Sequence, residues 1–161
     1  MNLLKFHNKI KGYTQNRQPG IEADMEPKPI AELEEYKAAG KLENKVALIT
    51  GGDSGIGRAI AILYAKEGAN VAIGYYDEHQ DAEDTVNRLQ EMGVKAKAYA
   101  HDLKDEKQSQ KLIKDVINDF GSLNILVNNG GVQFPRDHFE DITPQQVKKT
   151  FMTNIFGIMF L

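Results

Sequence analysis

The sequence contains neither cysteine nor tryptophan among its 161 residues. Without cysteine there can be no disulfide framework, no thiolate metal site and no cysteine nucleophile. Long hydrophobic runs are missing as well: the longest, residues 151–161, is interrupted by polar residues and is too short to span a bilayer, so no membrane partner is expected. Residues 1–7 lack the apolar core of a signal peptide. These absences suit the cytoplasm, where we expect the protein to be located.

An excess of positive charge is also absent. The 20 Lys and Arg residues are outnumbered by 23 Asp and Glu, which gives a net charge of −3 at pH 7. Proteins that bind nucleic acid through their charge are normally basic, so we expect no nucleic acid partner. The four histidines lack the close spacing of metal ligands, and no metal is expected. A hydrophobic fraction of 41% is nevertheless high enough for a folded domain of ordinary size.

Residues 1–44 differ in character from the rest of the chain. They hold three of the five prolines, a polar run over residues 12–20, and equal numbers of basic and acidic residues, 7 of each. We interpret this segment as an extended N-terminal arm that must lie on another part of the protein to be ordered, with a tail of no fixed structure as the alternative. One short helix is predicted over Ile30–Ala39, begun by Pro29 and ended by Gly40.

From Lys45 onward, short apolar runs typical of buried strands alternate with amphipathic helical patterns. Strands are predicted at Val46–Ile49, Val71–Ile73, Ala96–Ala100 and Ile125–Val127. Helical spacing follows each of them over Ile56–Tyr64, Ala82–Leu89, Leu112–Phe120 and after Thr143–Pro144, where Thr143 is the predicted N-cap. Strands and helices that alternate in units of about 25 to 30 residues indicate a parallel sheet with βαβ crossovers. Residues 45–161 are therefore predicted to be one α/β domain.

A glycine-rich segment, Thr50–Gly57, joins the first strand to the first helix. Here the chain must turn sharply, allow a pyrophosphate to approach the backbone, and start a helix whose N–H groups face that anion. Glycine suits each task because it accepts positive φ and has no Cβ to block a ligand. The spacing G-x-x-x-G-x-G differs from the G-x-G-x-x-G dinucleotide fingerprint and lacks the Gly-Lys-Ser/Thr of a P-loop. A tight turn without a ligand is the alternative interpretation.

Four motifs in order resemble the short-chain dehydrogenase/reductase family. They are the loop Thr50–Gly57, His101-Asp102-Leu103 after the third strand, Asn128-Asn129-Gly130-Gly131 after the fourth, and Thr153-Asn154-Ile155 in the last helix. The resemblance covers residues 45–161. The arm also resembles an N-terminal extension of a subgroup of bacterial oxidoreductases, some of them described as general stress proteins.

The resemblance implies a Rossmann-type doubly wound parallel sheet and NAD or NADP as cofactor. In the family, the carboxylate at the position of Asp102 takes the adenine amino group, and the backbone of the next residue adds a contact. The cofactor-binding residues implied in this sequence are Thr50, Gly51, Ser54, Gly55, Ile56, Gly57, Tyr75, Asp102, Leu103, Asn129 and Gly130.

The sequence leaves the choice between NAD and NADP open. NAD preference needs an acidic group at the end of the second strand, and NADP preference needs a basic group there or in the glycine loop. Tyr75 stands at the first of these positions, and Ser54 stands at the loop position that is often basic in NADP enzymes. Asp77 could reach the ribose, but we expect it to cap the next helix together with Glu78.

Two positions depart from the family pattern. Gly130 replaces the usual alanine, from which we expect a looser loop and no loss of cofactor binding. The catalytic Ser and Tyr-x-x-x-Lys lie beyond the fourth strand and its helix in the family, and this sequence has neither at such a position. Of the family's four catalytic groups only the proton-relay asparagine is present, as Asn154. Its alternative role is to bond neighbouring backbone.

We therefore interpret the chain as the cofactor-binding N-terminal part of an oxidoreductase that transfers hydride to a carbonyl or from an alcohol. The fold is expected to be truncated after the fourth strand and the following helix, and the chain alone to be inactive and to aggregate or be marginally stable. Complete relatives usually form dimers or tetramers, so a homo-oligomer is expected for the complete enzyme. A non-catalytic dinucleotide-binding module and a product without function are the alternatives.

Overall fold

The computed structural model describes Gln15, Arg17, residues 20–33 and residues 35–161. The first seven residues, examined above for a signal peptide, lie outside this part of the chain, as does most of the polar run over residues 12–20. Within the described ranges, none of the helices combines the length and the apolar character that crossing a bilayer would require.

Four parallel strands form one sheet, in the spatial order β3-β2-β1-β4. Leu48 at the centre of β1 lies opposite Ala72 of β2 and Leu126 of β4. The parallel sheet predicted from the alternating pattern is confirmed. The strand bounds are Val46–Thr50 for β1, Asn70–Tyr75 for β2, Ala96–Ala100 for β3 and Ile125–Val127 for β4.

The helices follow the strands as predicted. They are α1 over Gly55–Lys66, α2 over His79–Glu91, α3 over Glu106–Phe120 and α4 over Pro144–Phe151. The last helix continues through a π-helical segment, Met152–Phe156, and one final turn, Gly157–Met159. Single 3₁₀ turns lie at Glu22–Asp24 and Phe139–Asp141.

Local sequence signals set the ends of these helices. The Asp105 carboxylate accepts hydrogen bonds from the N–H groups of Lys107 and Gln108 and so caps the start of α3. Gly121 ends α3 with a φ of 84°, a conformation that glycine adopts without strain. Thr143 and Gln146 form a reciprocal capping box at α4, which confirms Thr143 as the N-cap.

The sheet is covered on both faces, so the fold is doubly wound. Residues on one face of β1 and β2, such as Ile49 and Ile73, pack against α1 and α2. Leu48 and Ala72 point to the other face and pack with Leu112 and Val116 of α3. Because successive strand residues alternate between the faces, β1 is buried along its whole length and reads as a continuous apolar run.

The far end of the sheet is more exposed. In the part of the chain that the structure describes, β4 pairs with β1 alone, and its three residues are half-buried. The α4 helix and the turns after it also present apolar side chains to solvent, including Phe151 and Met159. Among the described residues, β4 is therefore an apolar edge of the sheet.

The described residues of the arm lie against the domain and do not form the predicted helix. The described residues between Ile30 and Ala39 hold one turn, at Glu35, and no helix. The prediction is wrong because tertiary contacts determine this segment instead. The side chain of Lys66 donates to Leu33 O at 2.8 Å, and the buried Glu67 carboxylate accepts the N–H groups of Ala39 and Lys41 at 3.1 and 2.8 Å. Backbone groups that a helix would satisfy internally are thus bonded to α1 and to the residue that follows it.

Candidate functional site

A cavity of about 510 Å³ lies outside the carboxyl ends of the strands. It opens where the strand order reverses, between β1 and β4, which is the usual ligand position in open α/β sheets. The predicted residues that line it are Gly51, Ser54, Gly55, Ile56, Tyr75, Asp102, Leu103, Asn129 and Gly130. The structure thus brings together nine of the residues singled out from the sequence.

The loops after β1 and β4 are joined at the floor of this cavity. The buried Thr50 hydroxyl accepts the N–H groups of Asn129 and Gly130 at 3.1 and 2.9 Å. The Asn129 side-chain amide donates in return to the carbonyls of Thr50 and Gly51, both at 3.0 Å. Thr50 therefore does not line the cavity itself but fixes two residues that do.

The glycines of the loop have different physical tasks. A Cβ on Gly57 would lie 1.8 Å from Gly51 O, so Gly57 permits close contact between α1 and the loop. Gly55, with a φ of 51°, has open space where its Cβ would be, which leaves the cavity side of the loop unobstructed. Gly130 is closely packed, since a Cβ there would lie 2.9 Å from Leu103 Cδ1. The expectation of a looser loop at Gly130 stays a prediction.

The start of α1 faces this open space. The first hydrogen bond within the helix is that of Arg58 N–H to Ser54 O at 3.0 Å, so the preceding amides have no partner inside the helix. One of them, the Gly55 N–H, donates to the carboxylate of Glu22 from the arm. The loop therefore presents hydrogen-bond donors suited to an anion, and an acidic side chain already engages one of them.

Asp102 and Tyr75 lie on the wall formed by β2 and β3. Asp102 accepts the Lys104 N–H at 3.0 Å and pairs with the Lys104 ammonium at 3.2 Å, as a turn residue would. The Tyr75 hydroxyl lies 2.9 Å from His79 Nδ1, with the two rings edge to face. Both side chains line the cavity, and their roles toward a cofactor stay predictions.

The acidic residues before α2 do not cap that helix. Glu78 occupies the N-cap position without a side-chain cap bond. The Asp77 carboxylate accepts Arg17 from the arm at 3.1 Å, and Glu78 accepts the same guanidinium at 2.5 Å. The capping role expected for Asp77 is thus wrong, because an ion pair with the arm takes its carboxylate.

Asn154 holds the segment after β4. Its side-chain oxygen accepts the Val132 N–H and its amide donates to Val132 O, both at 2.8 Å. Val132 lines the cavity and Asn154 supports it from behind. This is the backbone-bonding role left open above, and the proton-relay role stays a prediction.

Burial shifts the pKa values of three ionisable groups along the cavity. Desolvation raises the pKa of Asp53, a buried carboxylate next to Ser54. Desolvation also raises the pKa of Glu78, and the neighbouring carboxylates add to this rise while Arg17 opposes it. Burial lowers the pKa of His101, whose ring sits against Gly74 of β2, and so favours the neutral imidazole.

Sequence reasoning missed several residues of the site. Asp53, Glu78, His101 and Lys104 also line the cavity but were not among the predicted cofactor-binding residues. Their positions in or near the predicted motifs were a usable signal, since each lies in or beside a loop at the carboxyl end of a strand. The involvement of Glu22 had no such signal, because it reaches the loop from 33 positions away in the sequence. Among the described residues, no group of three His, Cys, Asp or Glu side chains is arranged to hold a metal ion.

The chain is similar to known short-chain dehydrogenases. The family model described as "short chain dehydrogenase" matches residues 45–161. General stress protein 39 of Bacillus subtilis is 47% identical over 99% of this chain and 56% of its own length. The chain spans about half the length of the curated relatives it matches.

Solved structures show the same likeness. A short chain dehydrogenase from Burkholderia cenocepacia in complex with NADP is 35% identical with a TM-score of 0.71, over 74% of this chain and 49% of that one. A 3-ketoacyl-(acyl-carrier-protein) reductase from Brucella melitensis complexed with NADH is 32% identical with a TM-score of 0.69, over 74% and 48%. With its sequence match, its doubly wound sheet and its glycine loop at the reversal of strand order, the chain belongs to the short-chain dehydrogenase family.

Proposed function

We propose that the chain binds NAD or NADP in the cavity above β1 and β4, as the cofactor-binding part of an NAD(P)-dependent oxidoreductase. The observation that carries the proposal is the glycine loop joined by Thr50 to the Asn129–Gly130 turn, at the point where the strand order reverses. The relatives complexed with NADP and NADH support the same cofactor class.

The residues present fit such a cofactor. The open space above Gly55 leaves room for a ligand at the start of α1, and the amides there are suited to a pyrophosphate. Ile56 and Gly57 would offer their N–H groups to it. Asp102 and the Leu103 backbone would hold the adenine, and Tyr75 lies at the end of β2, where the ribose is read. The bound dinucleotide would supply or accept the hydride.

The chemistry of the whole family fold requires more than this chain contains. Hydride transfer between a nicotinamide and a carbonyl or alcohol is assisted by a general acid/base, typically worth roughly 10²- to 10⁴-fold in rate. The family's Tyr-x-x-x-Lys and Ser have no counterpart at the expected place in this sequence. We therefore expect the 161-residue chain to bind cofactor without turning over substrate. Detectable carbonyl reduction by the purified chain would contradict this.

The location and assembly of the protein belong to the proposal as well. A cytoplasmic location fits a protein that draws on a pool of nicotinamide dinucleotide. The apolar side chains exposed on and after α4 fit a surface that a second copy covers in a complete enzyme, and they support the expectation that this chain alone aggregates or is marginally stable. Analytical ultracentrifugation tests the expectation, and a monodisperse monomer that melts cooperatively would contradict it.

Cofactor binding is tested by titrating the chain with NADH and NADPH and following the nicotinamide fluorescence. Asp102→Asn is expected to weaken binding roughly tenfold, because it removes the carboxylate placed to accept the adenine amino group. Asp84→Asn removes the same charge from an exposed position of α2 and is expected to leave binding unchanged. If neither dinucleotide binds the wild-type chain, the proposal fails. A module that binds without catalysis is the alternative that the same titration would support.

A further inference from the structure

The described residues of the arm contact both ends of α1 and reach the glycine loop. Near the carboxyl end of α1, Tyr36 donates to Glu67. Further along, Glu32 pairs with Lys66 of α1 and Arg88 of α2 at 3.0 and 2.9 Å. The 3₁₀ turn that begins at Glu22 then lies at the amino end of α1. The arm thus runs between α1 and α2 toward the glycine loop.

Glu22 makes two charge-assisted contacts at the amino end of α1. One carboxylate oxygen accepts the Gly55 N–H, and the other accepts the Arg58 guanidinium at 2.5 Å. Both side chains are largely buried, with 11% of the Glu22 side chain and 18% of the Arg58 side chain exposed. Burial strengthens the pair, since solvent screens it less than a surface contact.

The rest of the Arg58 guanidinium is fixed by the protein. Its Nε donates to Asp53 O and to the Thr85 hydroxyl at 2.9 and 2.8 Å, and one terminal nitrogen donates to Asp81 O at 3.1 Å. The other terminal nitrogen faces Glu22. A backbone N–H at a helix start and an adjacent guanidinium are together the donors that commonly hold a phosphate. Here a carboxylate of the chain itself takes both.

These donors stand beside the loop position that distinguishes the two cofactors. Gly55 follows Ser54, the position that is often basic in NADP enzymes, and both line the cavity. An arginine near the end of the second strand commonly accommodates the 2′-phosphate of NADP. Arg58 lies in the first turn of α1 and does not line the cavity, but its terminal nitrogen is joined through Glu22 to Gly55, which does.

The region around this end of α1 is acidic. Arg17 lies across it, paired with Asp77 and Glu78, and does not offset the surplus of negative charge. Four carboxylates pair with the two guanidinium groups, a surplus that would repel a doubly charged phosphate. The four are Glu22, Asp77, Glu78 and Asp81.

We propose that Glu22 of the arm is a specificity-determining residue, which engages the Gly55 N–H and the Arg58 guanidinium, withholds both from a 2′-phosphate and so favours NAD(H) over NADP(H). The proposal rests on the proposed function, because it requires that a dinucleotide binds in this cavity. The arm would then contribute to cofactor selection together with the glycine loop.

The test is a fluorescence titration of the full chain with NADH and NADPH. The wild-type chain is expected to bind NADH at least roughly tenfold more tightly than NADPH. Glu22→Gln keeps the size and a hydrogen-bond acceptor for Gly55 but frees the Arg58 charge, so NADPH affinity is expected to rise roughly tenfold while NADH affinity changes less than about twofold. Glu26→Gln removes an exposed carboxylate from the same arm and serves as the matched control.

A second variant identifies the group that Glu22 withholds. Adding Arg58→Gln to Glu22→Gln is expected to abolish the gain in NADPH affinity, and circular dichroism checks that each variant is folded. A wild-type preference for NADPH overturns the proposal without any variant, and so does an unchanged ratio in Glu22→Gln. In either case dinucleotide binding itself still supports the proposed function, whereas failure of both nucleotides to bind removes the proposed function first.

Discussion

The arm and the sheet are held in place by different forces. The central strands bury apolar side chains completely, with Leu48, Ile49 and Ile73 at 0% exposure. The arm docks chiefly through hydrogen bonds and ion pairs, at Glu22, Glu32 and Glu67. Apolar burial involves no charged group, so moderate changes of salt or pH affect it little, whereas ion pairs weaken with both salt and acid. The domain should therefore persist under conditions that release the arm.

The largest effect is expected from the sheet. Ile49→Ala leaves a cavity between β1 and the helices α1 and α2, and we expect it to lower the free energy of unfolding by about 3 kcal/mol. Urea denaturation measures this loss, which should be the same at low and high salt. Met159→Ala, at a position 76% exposed, is the control and should change stability by less than about 0.5 kcal/mol. A loss of stability in Ile49→Ala that depended on salt would contradict the expected difference between the sheet and the arm.

The second largest effect on stability is expected from a polar contact inside the domain. Thr50→Val keeps the shape of the side chain but leaves the N–H groups of Asn129 and Gly130 without their acceptor. We expect the free energy of unfolding to fall by about 2 kcal/mol and dinucleotide binding to weaken, since the loops after β1 and β4 would no longer be held together. Thr150→Val removes a hydroxyl that bonds the carbonyl one turn earlier in α4, and it should cost less than 1 kcal/mol. Equal losses of stability in the two variants would show that the Thr50 contact between the two loops contributes no more than the hydroxyl bond of Thr150.

Acid should release the arm before it unfolds the sheet. Hydrogen bonds from Tyr36, and then from the backbone of Lys41, lower the pKa of Glu67 from 4.5 to about 2. Because the folded pKa is depressed, this contribution is fully present above pH 4.5 and is lost as the pH falls toward 2. Limited proteolysis of the arm across this range measures the release. Glu67→Gln should make the arm cleavable already at neutral pH, and Glu83→Gln, on the exposed side of α2, should not.

The smallest effect is expected at the outer ion pairs. Glu32→Gln removes the carboxylate shared by Lys66 and Arg88, and we expect a loss of about 0.5 kcal/mol at low salt that shrinks at high salt. Denaturation curves at two salt concentrations measure it, with Glu35→Gln as an exposed control on the same arm. A loss as large as that of Ile49→Ala would remove the distinction between arm and sheet.

The predictions that succeeded rest on short-range patterns. The strand β3 was predicted with its observed bounds, and the ends of α3 and α4 follow from Gly121 and Thr143. Nine of the predicted cofactor residues line one cavity, because loops that follow parallel strands must meet at the same edge of the sheet. The resemblance to short-chain dehydrogenases implies roles for those residues that periodicity alone could not indicate, and these roles stay predictions.

The predictions that failed concern residues whose partners are distant in the sequence. Asp77 has the spacing of a helix cap but binds Arg17, 60 positions earlier. The segment Ile30–Ala39 has the start and stop signals of a helix, yet Lys66 and Glu67 take its backbone groups. Local signals were outweighed in both places by charged groups that the fold brought within hydrogen-bonding distance.

The sequence by itself determined the alternation of strand and helix, the parallel sheet and the glycine loop, since each depends on residues close together in the chain. Only the tertiary structure decided that the arm reaches the glycine loop and that Glu22 binds the start of α1. The physical reason is that a carboxylate binds donors that are close in space, whatever their distance in the sequence. Hydrophobic periodicity reports only local structure, so it does not indicate where an extended segment packs against the helices.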